Sequence, residues 1–448
     1  MRILSITAGA AGMYCGSCAR DNALAAELIR RGHDVTLVPV YTPTRTDEPN
    51  MSRKRVLFGG ISVYLQQYVP LFRKTPRFLD RLWDSPRMID AFAGRTVSND
   101  PRMLGDLTIS MLLGRQGVLR KEFEKLLEWL RHQPVPDVIN LPNSLLIALA
   151  APLREALERP VCCTLQGEEL FINGLISPYR EQALGLVRQQ VREVDRFIAV
   201  SEYSAKFMSR FLDIPNERTV VVPLGINMSG YERSCSSVMQ DGPFRIGYFA
   251  RVSPENGLHL LADAYVRFRQ KYPHVGARLD VAGYTAPGHR TYLNGARRML
   301  EKAGLAGEFS YHGVLDRDGK IAFLQNINVL SVPATYDAPK GLFLIEAMAS
   351  GVPVVQPRRG AFIEIVEKTA GGLLVEPDSP ESLADGLHAL WHDRRRAAIL
   401  SDRAFQGVRL HYTVAHSAER LLHAYEDAMA ARSPSAIARK ARGISAQP

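Results

Sequence analysis

The 448-residue chain lacks both a long apolar run and a cysteine pattern that would form a disulfide framework. No apolar run reaches the roughly 18 residues that span a bilayer. The apolar stretch after Arg2 is too short for a signal peptide and fits a first β-strand better. The cysteines are odd in number, and Cys162 and Cys163 are adjacent and therefore hard to crosslink. These features argue against a membrane-spanning or disulfide-built secreted protein, and we expect a cytoplasmic one.

The composition is that of a globular protein, with 46% hydrophobic and 23% charged residues. The net charge of +10 fits a nucleic acid, an anionic membrane surface or a phosphorylated ligand as partner. Much of the excess lies in residues 50–90, where eight lysines and arginines outnumber three aspartates among interleaved aromatic residues. A solvated basic face explains this segment best, and a lipid-binding surface stays open as the alternative.

Short apolar strands alternate with helical patterns through most of the chain. RILSITA reads as a strand, residues 22–31 as a helix that Gly32 ends, and HDVTLVPV as the next strand. Ten further segments continue the pattern: DVINL, PVCCTLQ, DRFIAVS, TVVVPL, FRIGYFA, ARLDVAG, GEFSYHG, INVLSVP, GVPVVQP and GGLLVEP. The sequence therefore predicts an α/β protein with two doubly wound Rossmann-like domains, each a parallel sheet covered by helices on both faces.

A polar, aperiodic stretch near the middle of the chain predicts a linker between these domains. The final helical pattern has Thr413 as its N-cap, and we expect this helix to cross back to the first domain. The predicted parts are an N-terminal domain over 1–226 with a mostly helical insertion over about 44–120, a linker over 227–242, a C-terminal domain over 243–412, a terminal helix over 413–431 and a disordered basic tail over 432–448. Because ligands bind beyond the carboxyl ends of parallel strands, we expect the two domains to face each other across a binding cleft.

The most informative stretch runs from Tyr336 to Pro377. Gly341 opens a helix that Gly351 ends, and this helix starts in the loop that follows the strand INVLSVP. Its free N–H groups and the positive end of its dipole predict an anion site at the carboxyl edge of the sheet. Glu346 lies about one turn into the helix, where a carboxylate can accept hydrogen bonds from ribose hydroxyls. Taken alone, Glu346 would be read as an exposed helix glutamate.

This stretch resembles the nucleotide-sugar site of the family 4 glycosyltransferases, which are retaining enzymes of the GT-B fold. The matching residues are Gly341, Leu342, Glu346, Ala347, Met348, Gly351, Pro353, Val354, Gly360, Glu364, Ile365, Val366 and the GGLL run from Gly371. Similar segments occur in the family's order along the chain outside 44–120: RRGHDVTLV, FIAVSEYS, VVPLGIN, YFARVSPENGLHLLADAY and YHGVLD. Together they are much more specific than any one of them alone.

The resemblance implies roles for individual residues. Arg251 matches the arginine that grips the donor diphosphate, a task that suits an always-charged guanidinium, and Glu346 matches the ribose-binding carboxylate. The segment that ends with His312, Gly313 and Val314 matches the part that holds the base. The amides of Gly341, Leu342 and Phe343 are expected at the diphosphate because they open the helix, and Lys340 joins them as a candidate because it sits beside the helix N-terminus. No metal and no cofactor beyond the nucleoside diphosphate sugar is expected, because cationic side chains and the helix end neutralise the leaving diphosphate.

Three positions depart from the family pattern. The usual Glu-Lys-Gly triplet is Glu255–Asn256–Gly257, and asparagine can hydrogen-bond a phosphate but brings no charge. The usual glutamate eight residues before the ribose glutamate is Ala338, with Asp337 beside it. The usual histidine at the end of the CCTLQ strand is Gln166, which cannot relay a proton. A non-catalytic nucleotide-sugar or glycan-binding protein and a sugar-nucleotide epimerase therefore stay open as alternatives.

The stretch GAAGMYCGSCARDN places a C-x-x-C motif between the first strand and the first helix. Gly16 falls where the family has a glycine beneath the donor diphosphate, and a residue without a side chain lets backbone N–H groups approach closely. A thioredoxin-like pair would need a compact redox domain, and zinc would need two more ligands, of which Cys162 and Cys163 supply at most one. A backbone cradle is favoured over a redox pair, and a redox pair over zinc.

The resulting prediction is a retaining glycosyltransferase that moves a hexose from a nucleoside diphosphate sugar to a saccharide or lipid-linked acceptor. We expect the donor on the C-terminal domain and the acceptor on the first domain, where the insertion shapes acceptor choice. Peripheral contact of basic residues 50–90 with the inner face of a membrane stays open as an alternative to a solvated face, and no nucleic-acid partner is expected. The expected catalytic residues are Arg251, Glu346, Gln166 and Asp337, and Asn256 joins the donor-binding set.

Overall fold

The structure is a computed structural model that describes two compact units. The described residues are 1–9, 16–44, 46–53, 101–232 and 242–432, with a few isolated positions between 56 and 67. Unit 1 consists of Met1–Pro223 with the chain from Ser417 onward, and unit 2 of Leu224–His416. Each unit is built on one six-stranded parallel sheet with helices around it, which confirms the predicted α/β class with two doubly wound sheets.

The sheet of unit 1 has the strand order β2-β1-β3-β4-β5-β6. Its strands are β1 (Arg2–Thr7), β2 (Asp34–Pro39), β3 (Val138–Leu141), β4 (Val161–Leu165), β5 (Arg196–Ala199) and β6 (Thr219–Val221). The described helices that precede β6 are α1 (Gly16–Arg30), α2 (Pro101–Leu113), α3 (Arg120–Arg131), α4 (Ala150–Leu157), α5 (Glu168–Gly174), α6 (Tyr179–Gln190) and α7 (Glu202–Phe211). Every residue of β3 and β4 is buried, as expected of central parallel strands that are covered on both faces.

The sheet of unit 2 has the strand order β12-β11-β10-β7-β8-β9. Its strands are β7 (Phe244–Phe249), β8 (Ala277–Ala282), β9 (Phe309–Tyr311), β10 (Val329–Leu330), β11 (Val354–Pro357) and β12 (Gly372–Val375). Its described helices are α8 (Leu258–Lys271), α9 (Arg290–Lys302), α10 (Arg317–Gln325), α11 (Leu342–Ala349), α12 (Gly360–Thr369), α13 (Pro380–His392) and α14 (Arg394–His411). Counted within the unit, this is the 3-2-1-4-5-6 order of dinucleotide-binding sheets.

The last described helix, α15 (Val414–Ala430), packs on unit 1. Ser417 Oγ donates a 2.7 Å hydrogen bond to Pro223 O, and Arg432 forms a 3.0 Å ion pair with Asp195. Thr413 Oγ1 accepts from His416 N over 3.3 Å, as an N-cap side chain does.

All twelve predicted strand segments contain a strand. The predicted helix over 22–31 was wrong at its start, because α1 already begins at Gly16. Its first turns bury the adjacent Arg20 and Asp21, which pair with each other over 3.1 Å, so these turns show no apolar periodicity. Most of the predicted insertion, part of the predicted linker and nearly all of the predicted tail lie outside the described residues.

Candidate active site

The strand order of unit 2 reverses between β7 and β10, and the loops that follow these two strands carry several of the predicted site residues. Arg251 lies two residues after β7, and residues 331–341 lead from β10 into α11. At such a switch point the connections leave the sheet on opposite sides and open a crevice for a ligand at the carboxyl edge. The fold therefore places Arg251, Lys340 and Gly341 at one edge of one sheet.

The two loops touch each other through their backbones. Thr335 N donates a 2.9 Å hydrogen bond to Glu255 O. Gly257 has a φ of +72°, and a Cβ at this position would lie 1.8 Å from Pro333 O. Glycine is therefore required at the end of the Glu255–Asn256–Gly257 triplet, because any side chain would push the loops apart.

Arg251 presents its guanidinium from the loop after β7. Its side chain is 52% exposed, and Nη2 donates to Glu255 Oε1 over 2.6 Å. Its carbonyl oxygen accepts hydrogen bonds from Tyr248 OH at 3.1 Å and from Asn256 Nδ2 at 2.8 Å. Asn256, which was predicted to contact the diphosphate, thus holds the backbone of Arg251 in this structure.

The Glu255 carboxylate forms an ion pair with the Arg251 guanidinium. Burial favours its neutral form, but hydrogen bonds from its own backbone N–H and from Ser253, together with the charge of Arg251, outweigh burial and lower the pKa of Glu255. An ionised Glu255 competes with any anion for Arg251. We therefore expect a bound diphosphate to displace this ion pair.

The loop before α11 is fixed on a second side by α12. Helix α11 begins directly after Gly341. Arg359 Nη1 donates to Thr335 O over 2.7 Å, and a Cβ at Gly360 would lie 2.4 Å from Ala338 O. The free amides at the start of α11 therefore follow a loop with little freedom, as a pre-organised anion site requires.

Two positions in this loop bear on the departures from the family pattern. Ala338 is only 2% exposed, and its carbonyl oxygen accepts from Ala361 N over 2.8 Å. A buried methyl group therefore occupies the position of the family's glutamate. Asp337 is exposed, and Lys340 is partly buried, as are Leu342 and Phe343 at the start of α11.

Glu346 is buried and already paired. It is 7% exposed, and its Oε1 accepts from Lys320 Nζ at 2.7 Å and from Tyr231 OH at 3.5 Å. No hydrogen bond among the described residues uses Oε2. Burial, followed by the nearby carboxylate charge, raises the pKa of Tyr231 far above its usual range, so the phenol acts as a neutral donor. One oxygen of Glu346 is thus held in place by two donors of the protein.

Sequence reasoning missed Lys320 and Tyr231. Lys320 lies in α10 beside the buried Ile321, Phe323 and Leu324, and a lysine within an apolar helix face is the one signal that could have found it. Tyr231 lies in the predicted linker. The linker is otherwise polar, and Tyr231 is its one aromatic residue, which is the only signal that the sequence offered. Their partner Glu346 is more than 20 residues away along the chain from either, so only the fold brings the three together.

The predicted base-binding residues follow β9, at the outer edge of the same sheet. His312 Nε2 lies 2.9 Å from Asp280 Oδ1, and Gly313 O accepts from Gly283 N over 2.7 Å. Val314 lies three residues after β9 and is an exposed hydrophobic residue, at 49%. This segment therefore lies at the end of β9, two strands away from β7 in the same sheet.

Gly16 and Gln166 belong to unit 1. Gly16 is the first residue of α1 and is exposed. Gln166 follows β4, is 6% exposed, and donates from Nε2 to Pro142 O over 3.0 Å. The fold thus places both glycine and glutamine at the carboxyl edge of the sheet of unit 1, as the doubly wound topology requires.

Cys18, Cys162 and Cys163 are the cysteines of the described residues, and all three are buried. Burial raises the pKa of the Cys162 and Cys163 thiols well above the usual range, so neither is a ready nucleophile or metal ligand. Cys18 of the C-x-x-C motif is 1% exposed in α1, and Cys15 lies outside the described residues.

Two family models match the chain, and together they span most of it. The model described as "Glycosyl transferase 4-like domain" matches residues 19–225, and the model described as "Glycosyl transferases group 1" matches residues 235–407. The chain belongs to the family 4 glycosyltransferases. It is accordingly an enzyme of the glycosyl-transferring class, and the resemblance seen in its sequence is confirmed.

Characterised relatives of this glycosyltransferase are distant. A lipopolysaccharide core biosynthesis mannosyltransferase of Rhizobium meliloti is 27% identical over 250 residues, which is 53% of this chain and 67% of the relative. A phosphatidyl-myo-inositol mannosyltransferase of Mycobacterium tuberculosis is 26% identical over 284 residues, which is 59% of this chain and 67% of the relative.

Solved structures similar to this glycosyltransferase have the GT-B fold. HepE of Anabaena, in complex with UDP-glucose, has a TM-score of 0.66 at 18% identity and covers 95% of this chain and 99% of its own. Sucrose-phosphate synthase of Thermosynechococcus elongatus has a TM-score of 0.69 at 18% identity and covers 96% of this chain and 100% of its own. At this identity the likeness establishes the fold alone.

Two features are absent from the described residues. None of their helices is long and apolar enough to cross a membrane. They contain no group of three or more histidine, cysteine or acidic side chains arranged to hold a metal ion.

Proposed function

We propose that this glycosyltransferase transfers a hexose from a nucleoside diphosphate sugar to a saccharide or lipid-linked acceptor, with retention of anomeric configuration. The observation that carries the proposal is the pairing, at one switch point in unit 2, of an exposed guanidinium and the amino end of α11. Thr335 N bonds to Glu255 O, which ties the loops of both groups together. A fixed fork of donors beside a helix end is suited to a diphosphate.

In the proposed mechanism, Arg251, Lys340 and the amides of residues 341–343 stabilise the negative charge that grows on the leaving diphosphate. Asn256 contributes by fixing the backbone of Arg251. The leaving phosphate then takes the proton from the acceptor hydroxyl, which attacks on the same face of the sugar, so the new bond keeps the configuration of the old one. Gln166 and Asp337 are proposed to orient the sugar, since neither has to carry the proton in this route.

Glu346 is proposed to hold the ribose of the donor through Oε2. Its Oε1 is occupied by Lys320, so the carboxylate has one defined orientation and one available oxygen. Residues 312–314 are proposed to contact the base with Val314 and backbone groups, and Gly16 to let the first loop of unit 1 approach the donor diphosphate. No metal is needed in this proposal, because the site residues named above supply the positive charge.

The names of the relatives support both proposed acceptor classes. One relative acts in lipopolysaccharide core biosynthesis and another carries phosphatidyl-myo-inositol in its name, which gives a saccharide and a lipid respectively. We propose a cytoplasmic enzyme whose basic residues 50–90 contact a membrane surface when the acceptor is lipid-linked. Those residues lie mostly outside the described part of the chain.

The test is a panel of nucleotides and nucleotide sugars on the full chain. We expect at least one of UDP, UDP-glucose, GDP and GDP-mannose to raise the melting temperature, because a ligand of the folded state stabilises it by mass action. The stabilising sugar nucleotide should then be hydrolysed slowly, with or without EDTA, and early NMR spectra should show the released sugar in the donor's anomeric configuration. Inversion, dependence on a divalent metal, or a sugar nucleotide epimerised without release would each overturn part of the proposal.

A further inference from the structure

The chain enters unit 2 through a short segment that also meets the end of the unit. Ile226 N donates to Tyr412 O over 3.0 Å, and Val414 N donates to Ile226 O over 2.9 Å. Because unit 2 runs from Leu224 to His416, these hydrogen bonds join its two ends. Residues 227–232, which we call the strap, follow directly and lead away from this junction into the unit.

The strap is bound to α10 through its main chain. Arg317 Nη2 donates to Asn227 O over 3.2 Å and to Ser229 O over 2.7 Å. At the other end of the helix, Gln325 Nε2 donates to Glu232 O over 3.2 Å. Side chains of α10 therefore hold both ends of the strap by groups that its sequence does not specify.

The middle of the strap lies directly against the same helix. Gly230 has a φ of +84°, and a Cβ at this position would lie 2.9 Å from Ile321 Cδ1. Arg317, Ile321 and Gln325 are spaced four residues apart and so share one face of α10. A side chain at Gly230 would push the strap away from this face.

Tyr231 is the residue of the strap that points into the unit, and it is only 1% exposed. Its carbonyl oxygen accepts from Arg409 Nη2 over 2.7 Å, and the Arg409 guanidinium lies 3.3 Å from the ring centroid of Phe405 in α14. The Arg317 guanidinium lies 5.6 Å from the centroid of the Tyr231 ring. Two arginines from two helices thus fix where this tyrosine sits.

The position of the strap decides how strongly Tyr231 acts on Glu346. The phenol oxygen lies 3.5 Å from Glu346 Oε1, whereas strong O–H···O hydrogen bonds measure 2.5–3.0 Å. Lys320, which binds the same carboxylate, lies three residues after Arg317 on the same helix. A small movement of the strap along α10 would therefore lengthen or shorten the phenol–carboxylate contact while the Lys320 contact stays as it is.

We propose that Tyr231 is a positioning residue of the nucleotide site, and that the strap, held by Arg317 and Arg409, sets how firmly Tyr231 steadies Glu346. The inference deepens the proposed function and rests on it, since Glu346 is proposed to hold the ribose. A residue that acts through Glu346 affects only ligands whose ribose hydroxyls reach that carboxylate. By linkage, a bound nucleotide in turn steadies the strap.

The decisive variant is Tyr231→Phe, which deletes the hydroxyl and keeps the ring and its contacts with both arginines. Calorimetry on the full chain should show UDP or GDP binding weakened about threefold to tenfold, the loss expected for one modest hydrogen bond. The 2′,3′-dideoxy diphosphate of the same base has no ribose hydroxyls, and its affinity should not fall further in the variant. Equal losses for both ligands, or no loss for either, would overturn the assignment.

Tyr265→Phe is the matched control. Tyr265 is equally buried and donates to Glu308 Oε2 over 2.5 Å, and Arg269 pairs with the same carboxylate over 2.9 Å. The control thus removes a phenol from a carboxylate that also has a cation, at a place outside the nucleotide site. It should lower the melting temperature and leave both affinities unchanged, and a ribose-specific loss here would contradict the proposal.

Gly230→Ala tests the strap itself. We expect the ribose-dependent part of the affinity to fall as in Tyr231→Phe, and the double variant to bind no more weakly than the weaker single variant, because both changes break one contact. Gly304→Ala is the matched control, since Gly304 has a φ of +75° but no atom within 4 Å of its would-be Cβ. Additive losses in the double variant would overturn the role given to the strap.

Hydrogen exchange measures the reciprocal effect. Bound UDP or GDP should slow exchange of the amides of residues 228–232 in the wild type, and slow it less in Tyr231→Phe. Unaltered exchange in the wild type would overturn the coupling. A wild type that binds the dideoxy diphosphate as tightly as UDP or GDP overturns the inference and leaves the diphosphate site standing, whereas a wild type that binds no nucleotide overturns the proposed function as well.

Discussion

The carboxyl edges of the two sheets are built alike but offer opposite chemistry. In unit 2 the edge presents a guanidinium, a lysine and the positive end of a helix. In unit 1 the corresponding edge presents unpaired amide and hydroxyl oxygens and two buried carboxylates. Both sheets bring loops together at their carboxyl edges, after β7 and β10 at the switch point of unit 2 and after the neighbouring strands β3 and β4 in unit 1.

The two edges therefore differ in charge, because that of unit 2 carries cationic groups and that of unit 1 carries two buried glutamates. A diphosphate needs positive charge and backbone donors, which the edge of unit 2 supplies. Variants that change the charge or the rigidity of this edge should therefore affect diphosphate binding.

The largest effect is expected from breaking the buried ion pair in unit 2. Lys320→Met leaves the Glu346 carboxylate buried without its cation, and the loss of one member of a buried pair typically costs about 3–5 kcal/mol of stability. Nucleotide affinity should fall as well, because Glu346 loses its fixed orientation. Thermal denaturation and calorimetry with UDP and GDP measure both.

The control for this variant is Lys271→Met. Lys271 pairs with Asp385 over the same 2.7 Å, but both side chains are about half exposed. Its loss should leave stability and nucleotide affinity nearly unchanged, because exposed pairs contribute little. Equal effects of the two variants would contradict the role given to burial. The double variant Lys320→Met/Glu346→Leu should regain stability without regaining nucleotide binding.

The second-largest effect is expected from Arg251→Ala. This variant should reduce donor hydrolysis about 100-fold or more, as expected when one pre-organised charged hydrogen-bond donor is removed. Arg251→Lys should recover only part of the rate, because an ammonium lacks the fork of the guanidinium. Arg267→Ala removes an exposed arginine with the same kind of i,i+4 carboxylate partner, Asp263, and should have no effect. Full activity of the Arg251 variants would contradict a diphosphate site at this edge.

A smaller effect is expected from Gly257→Ala, which tests the contact between the two loops of unit 2. Alanine is strained at a φ of +72° and its Cβ would overlap Pro333 O, so we expect roughly 2 kcal/mol of destabilisation and weaker nucleotide binding. Gly276→Ala is the matched control, since no atom lies within 4 Å of its would-be Cβ. A neutral Gly257 variant would show that the loops can separate without cost.

Much of the fold could be predicted from the sequence because its signals are local. Each strand is a short apolar run bounded by turn residues, and each such run requires only its own residues to be recognised. The same holds for the start of α11, which Gly341 and the apolar helix after it predict without reference to the rest of the chain. The family resemblance was needed to give Arg251 and Glu346 their roles.

The partners of these residues could not be predicted, because they depend on contacts between distant segments. Nothing near Lys320 or Tyr231 indicates that both reach Glu346. Asn256 was assigned to the phosphate by its place in a motif, whereas the structure shows its amide on the carbonyl oxygen of Arg251. The three hydrogen bonds that Glu168 accepts could not be predicted from the sequence either, because their donors are backbone N–H groups that carry no sequence signal.

The smallest predicted effect concerns the pH dependence of the Arg251–Glu255 pair. The pKa of Glu255 is lowered in the folded protein, so the stability it contributes is present above its ordinary pKa of 4.5 and is lost as the pH falls through the folded value. The melting-temperature advantage of the wild type over Glu255→Gln should therefore shrink as the pH is lowered from neutrality past this range. Glu301→Gln, an exposed change of the same charge, controls for net charge. Glu255→Gln should also tighten UDP or GDP binding at neutral pH, because the nucleotide no longer competes with a carboxylate for the guanidinium; weaker binding would mean that Glu255 aims Arg251 at the phosphate instead of withholding it.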